Sequence, residues 1–199
     1  MNRSNNRSRS LETKIRRLTR EIRKIDDFFY GTHEDGKRDL YAEMCMLERK
    51  RDDIVRSVVL QLHTATEDLL TDWIACRVLG IETMEEKKKR ARTKSAQAVR
   101  RMLWGSGSIG FEMKLNFAIA LRLVNGSTQK KLAELNRLRN KCSHNWLLKV
   151  PVRRGRRPKQ KKLPLLLYKG RDLHGMDALE DFASEYGLLY ARLFSKSCD

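Results

Sequence analysis

Residues 55–79, VRSVVLQLHTATEDLLTDWIACRVL, decide the fold class. Val58, Val59, Leu62, Leu69, Leu70, Trp73, Ile74 and Cys76 recur at helical spacing and make a broad apolar face. Such a face suits a core helix better than a two-helix seam. Neither Gly nor Pro interrupts residues 38–79, so one long helix or two abutting ones are expected, closed by Gly80. Upstream, Leu11, Ile15, Leu18, Ile22, Ile25 and Phe29 form a narrower seam that breaks at Gly31 and Gly36. Leu40, Met44 and Leu47 resume it, which predicts an antiparallel helical hairpin over residues 11–56. Residues 1–10, rich in Asn, Ser and Arg, read as a disordered basic tail.

Downstream the pattern stays helical. Residues 82–94 form a polar, mostly basic connector, and 96–104 a short helix with Trp104 in its core, stopped by Gly105-Ser106-Gly107. Residues 111–124 are apolar and end at Asn125-Gly126. Ser127 or Thr128 then caps a helix striped by Leu132, Leu135 and Leu138, running to about Trp146 before Pro151. A basic loop spans 151–164, exposed over 153–162, and Leu163-Pro164-Leu165-Leu166-Leu167-Tyr168 reads as a short extended segment. Asp177-Ala178-Leu179-Glu180 has capping-box spacing and opens a last helix through Phe182, Tyr186 and Leu193. The expectation is an all-α chain: a helical bundle over 57–199 behind an N-terminal hairpin.

The chain carries 43 Lys and Arg against 25 Asp and Glu, a formal net charge of +18. An excess of that size favours a polyanionic partner, nucleic acid before an anionic membrane, with a merely solvated basic surface as the bland reading. Cys45, Cys76, Cys142 and Cys198 form no CxxC pair and read as reduced thiols. The N-terminus lacks a signal-peptide core, and no run reaches the ~18 apolar residues of a membrane span, so a soluble cytoplasmic protein is expected. His33, His63, His144 and His174 lack ligand spacing, so no metal site is expected. GSGSIG at 105–110 lacks the lysine of a phosphate loop, and no cofactor is expected.

One segment can carry chemistry: Arg139-Asn140-Lys141-Cys142-Ser143-His144. An imidazole can take a proton from a ribose 2′-hydroxyl near neutral pH. A guanidinium binds phosphate oxygens through its planar fork and holds charge that builds on phosphorus. Together they suffice for metal-independent transesterification of RNA. Asn140, four residues before His144, shares its helix face and can fix the ring's tautomer. Arg139 lies about 140° around an ideal helix from His144, so one copy presents the pair poorly. Two copies facing across a dimer present both pairs to one cleft. The bland alternative is a helix C-cap, in which the same polar and basic groups satisfy end carbonyls.

LNRLRNKCSHNW resembles the Arg-x4-6-His motif of the HEPN superfamily, with Asn140 as the polar residue after the arginine. The resemblance extends over residues 57–195 through the order of helices. It implies a homodimer with a composite active site and ribonuclease activity in toxin–antitoxin, abortive-infection or other antiviral systems. It also implies an antitoxin or regulatory protein as a possible partner. His144 would be the acid or base, Arg139 the phosphate binder and Asn140 the orienting group. One branch of the family carries a Tyr two residues after the His, modified by a nucleotidyltransferase antitoxin; Trp146 stands there in this chain and has no hydroxyl. The superfamily also holds non-catalytic members, so a nucleic-acid- or protein-binding regulatory module is the alternative expectation.

Arg153, Arg154, Arg156, Arg157, Lys159, Lys161 and Lys162 begin nine residues after His144 and can hold an RNA strand beside the site. Trp146, Trp104 and Tyr168 can each stack a base, although such residues are more often core or interface, and core is the reading for Trp104. Cys142, two residues from His144, points about 200° away on an ideal helix and is no nucleophile partner for it.

Overall fold

Long stretches free of Gly and Pro become helices in the computed structural model, which describes residues 2–30, 40–83, 86, 89–90, 92–105, 107–144 and 166–196. The described elements are α1 (Asn2–Tyr30), α2 (Leu40–Val78), α3 (Lys94–Trp104), α4 (Phe111–Ala120), α5 (Gly126–His144), β1 (Leu167–Tyr168), β2 (Arg171–Asp172) and α6 (Met176–Lys196). The chain is all-α, with one two-stranded antiparallel ribbon in the register Leu167 to Asp172 and Tyr168 to Arg171. Leu167 and Tyr168 of that ribbon belong to the extended segment expected after the basic loop; residues 163–165 lie outside the described residues. The ribbon's two-residue turn puts Lys169 at φ 48° and Gly170 at φ 77°, the pair of positive angles that matches strand twist in a tight hairpin.

Contacts divide the chain into two units. The first comprises residues 1–61 and 138–186. Its core is built from Ile22 of α1, Val55, Val58 and Val59 of α2, Leu138 of α5, Tyr168 of β1, and Leu179 and Phe182 of α6, all fully buried. The Tyr168, Phe182 and Tyr186 rings meet at centroid distances of 4.7 to 6.1 Å. Arg23 pairs with Glu180, so α1 lies beside α6 in this unit; the side chains of Leu40 and Met44, expected to pair with α1 in a hairpin, lie outside the described residues. Residues 2–10, expected as a disordered tail, continue α1 as helix, since no Gly or Pro breaks the run from Asn2 to Tyr30.

The second unit comprises residues 62–137 and 187–199. Leu62, Leu70 and Ile74 of α2, Leu103 of α3, Ala118 of α4, and Leu132 and Leu135 of α5 are fully buried there. Two of its helices end alike. Gly80 N donates to Arg77 O and Ile81 N to Cys76 O after α2; Arg122 N donates to Ile119 O and Leu123 N to Ala118 O after α4. Both are Schellman closures, which put the turning residue in the left-handed region. Gly80 accepts φ 59° freely, whereas Arg122 sits at φ 57° with a Cβ. Opposite effects are therefore expected: Gly80→Ala should lower unfolding stability by about 1 kcal/mol and Arg122→Gly should raise it by up to about 1 kcal/mol. Urea midpoints of the two variants check this; shifts of the same sign would contradict it.

Caps depart from expectation by a residue or two. Asn125, not Ser127 or Thr128, caps α5: its Oδ1 accepts from Thr128 N at 2.9 Å. The last helix opens at Met176, with Gly175 O accepting from Leu179 N, so Asp177 sits inside the first turn instead of capping it.

Candidate functional site

The motif lies on the last two turns of α5. Leu138 and Cys142, four apart, are buried and seat that end of the helix in the first unit. Between them Arg139 and Asn140 are half-buried. Arg139 Nη1 donates to Asn140 Oδ1 at 3.1 Å, so the carboxamide oxygen is already engaged by the neighbouring guanidinium. Backbone helix continues to His144, whose side chain lies outside the described residues. Trp146 and the loop residues Arg153, Arg154, Arg156, Arg157, Lys159, Lys161 and Lys162 also lie outside them.

Another helix reaches the backbone of the motif: Arg56 Nη1 of α2 donates to Cys142 O at 2.6 Å. Arg56 is only 6% exposed, so its charge needs compensation. Asp52, one turn earlier on α2, supplies it, accepting from Arg56 Nε at 2.6 Å. The other oxygen of Asp52 lies 3.1 Å from His174 Nε2, and His174 Nδ1 lies 2.8 Å from Asp172 Oδ1. Asp172 also accepts from the backbone N–H of His174 at 3.1 Å. The end of the motif helix is thus tied, through one guanidinium, to a carboxylate–imidazole–carboxylate chain that reaches the β-ribbon.

Electrostatics in this chain follow from its geometry. Burial alone would lower the His174 pKa, but hydrogen bonds to Asp52 and Asp172 outweigh it and lift the imidazole above its ordinary 6.5. Burial would raise Asp52, but bonds from His174 and Arg56 overcome it and hold the carboxyl below 3.8. A raised histidine contributes stability that is full below about pH 6.5 and lost as pH rises through its folded pKa. A depressed carboxylate contributes stability that is full above about pH 3.8 and lost as pH falls through its folded pKa. The cluster should therefore support the fold best between about pH 4 and 6.5, and its contribution should fall on either side. Urea midpoints measured against pH test this, with His174→Gln expected to flatten the alkaline limb. An alkaline limb equally steep in the variant would contradict it.

None of Asp52, Arg56, Asp172 and His174 was singled out from sequence as part of the site. A signal existed: Asp52 and Arg56 are spaced i, i+4 and interleave with Ile54, Val55, Val58 and Val59, so the pair sits within a buried face. Cys142 is inert, as its position implies; burial pushes its thiol up to about 11. His63 is a buried core residue of the second unit. It stacks on Phe111 at 4.4 Å and lies 3.3 Å from Asn136 Oδ1, beside the Lys114–Glu67 pair at 2.7 Å. Among the described residues no group of three or more His, Cys, Asp or Glu side chains is arranged to hold a metal ion, and no helix is long and apolar enough to cross a membrane.

Comparison of the chain with protein-family models, with curated proteins and with solved structures finds no match.

Proposed function

We propose that the chain is a metal-independent endoribonuclease of HEPN type, acting as a homodimer. The observation that carries this reading is the concentration of Arg139, Asn140 and His144 on the last two turns of one helix whose end is tied down by buried Arg56. A net charge of +18 suits a polyanionic substrate. In the proposed reaction His144 takes the proton of a ribose 2′-hydroxyl, and the freed oxygen attacks the adjacent phosphorus. The O2′–P bond forms as the P–O5′ bond breaks, with the second copy's imidazole returning a proton to the leaving 5′-oxygen. Arg139 balances the charge that builds on the phosphoryl oxygens. Asn140 orients the imidazole through its carboxamide oxygen, which accepts from Arg139 and has a second lone pair for the ring N–H opposite the base nitrogen. The resemblance that suggests this chemistry also suggests a toxin or antiviral-defence role.

Incubating the purified dimer with RNA in EDTA tests the chemistry. Fragments ending in 2′,3′-cyclic phosphate and 5′-hydroxyl are expected; a folded dimer that degrades no RNA, or one that EDTA silences, would contradict it. The Arg139–Asn140 bond within one chain favours a second reading, in which the motif is a helix cap and the protein a non-catalytic nucleic-acid- or protein-binding module. The same assay separates the two, because that module binds RNA and leaves it intact.

A further inference from the structure

α3 ends on an exposed tryptophan. Ala96 and Leu103, seven residues apart, face the second unit's core, and the rest of the helix is largely open to solvent. Trp104, assigned to the core on sequence grounds, is instead 44% exposed. The reason is local. Leu103 takes the buried position, about 100° around the helix from its neighbour, and the chain turns away immediately after Trp104. Gly105 makes that turn: its N–H bonds Arg101 O at 3.0 Å, and a Cβ there would lie 2.5 Å from the same oxygen. Gly107 follows at φ +86°, again without a side chain to cover the ring.

A lone exposed aromatic carries no meaning on its own. Its neighbours supply one. Arg100 and Arg101 stand four and three residues before Trp104, on the same side of the helix and exposed. Arg92 and Lys94, beside the N-cap Thr93, are exposed as well, and among the described residues none of these four cations has an ion-pair partner. Residues 87–111 contain eight Lys and Arg and no Asp or Glu. Met102, the other large exposed apolar residue of α3, lies about 200° from Trp104 on an ideal helix, so the two do not form a continuous apolar stripe. That argues against a membrane or an apolar helix as the occupant. An aromatic face flanked by exposed guanidinium and ammonium groups fits a strand that offers both phosphates and unstacked bases.

We infer that the Arg100–Arg101–Trp104 face of α3 binds single-stranded nucleic acid, with a base stacked on Trp104 and the flanking cations on phosphates. This goes beyond the cleavage reading and does not depend on it, because holding a strand needs no chemistry. The test uses oligodeoxythymidylate, which lacks the 2′-hydroxyl and stays intact whatever the motif on α5 does. Binding of labelled oligodeoxythymidylate to the full chain, followed by anisotropy, should weaken by about 5- to 100-fold in Trp104→Ala and be largely restored in Trp104→Phe. Arg100→Gln with Arg101→Gln should reduce the slope of log K against log salt by about 1.4, for two phosphates at ~0.7 each. Because these side chains are exposed, the variants should keep the wild-type urea midpoint. The inference is overturned if the wild type does not bind. It is equally overturned if Trp104→Ala stays within twofold of wild type, as a strand held only by residues 153–162 would give. Competition by duplex DNA or phosphatidylserine vesicles as effective as by the single strand would overturn it too.

Discussion

His144→Ala should lower RNA cleavage by about 10²- to 10⁴-fold, the range a positioned general acid or base contributes. Arg139→Ala should fall by about 10²- to 10³-fold, because charge developing on the phosphoryl oxygens loses its fixed partner. Both losses belong in kcat, since each group acts chiefly in the transition state. In the proposed reaction the two residues act as a unit, so the double variant should be little worse than the weaker single one. In a bacterial host, induced wild type should arrest growth while His144→Ala should not. Single variants that cleave at the wild-type rate would leave the motif as a helix cap and nothing more.

The second large effect concerns Asp52. It compensates Arg56 on one oxygen and His174 on the other, so Asp52→Ala leaves buried Arg56 without that carboxylate and His174 with Asp172 alone. Breaking a buried pair from one side costs about 3–5 kcal/mol, and Asp52→Ala should fall toward the upper end. Arg56→Ala should cost less, because Asp52 keeps His174, and Asp52 Oδ2 and the Cys142 carbonyl each lose one donor. Replacing both partners, as Asp52→Leu with Arg56→Met, should recover most of the stability. It should not recover cleavage, since the bond from Arg56 of α2 to the Cys142 carbonyl of α5 is then lost. Urea midpoints paired with cleavage rates separate these effects. A cost below about 1 kcal/mol for Asp52→Ala would mean the cluster is solvated and the anchoring of α5 lies elsewhere.

The all-α class was legible because periodicity repeats at every scale of the chain. Ile15 and Ile22, Leu62 and Leu70, and Leu132, Leu135 and Leu138 fall on buried faces as their spacing requires. Helix ends were less legible, because Asn125, Ser127 and Thr128 are all competent caps and only the backbone path selects Asn125. Trp104 shows the limit of composition: a large apolar residue at a helix terminus reads as core until the neighbouring Leu103 is seen to occupy the buried position. The support beneath the motif helix was harder still. Asp52 and His174 lie 122 residues apart, and no local pattern pairs a charged position on α2 with a turn residue before α6. Arg139, Asn140 and His144 were legible as a spacing, and the Arg139–Asn140 bond is a consequence of two adjacent side chains leaving the same helix end.

The most direct test is a structure of the assembled dimer in solution or crystal. It should place the two His144 imidazoles on one shared groove, with an Arg139 beside each, close enough to flank a single phosphodiester. Imidazoles opening on opposite faces of the assembly, or a chain that stays monomeric while cleaving RNA, would contradict the composite site.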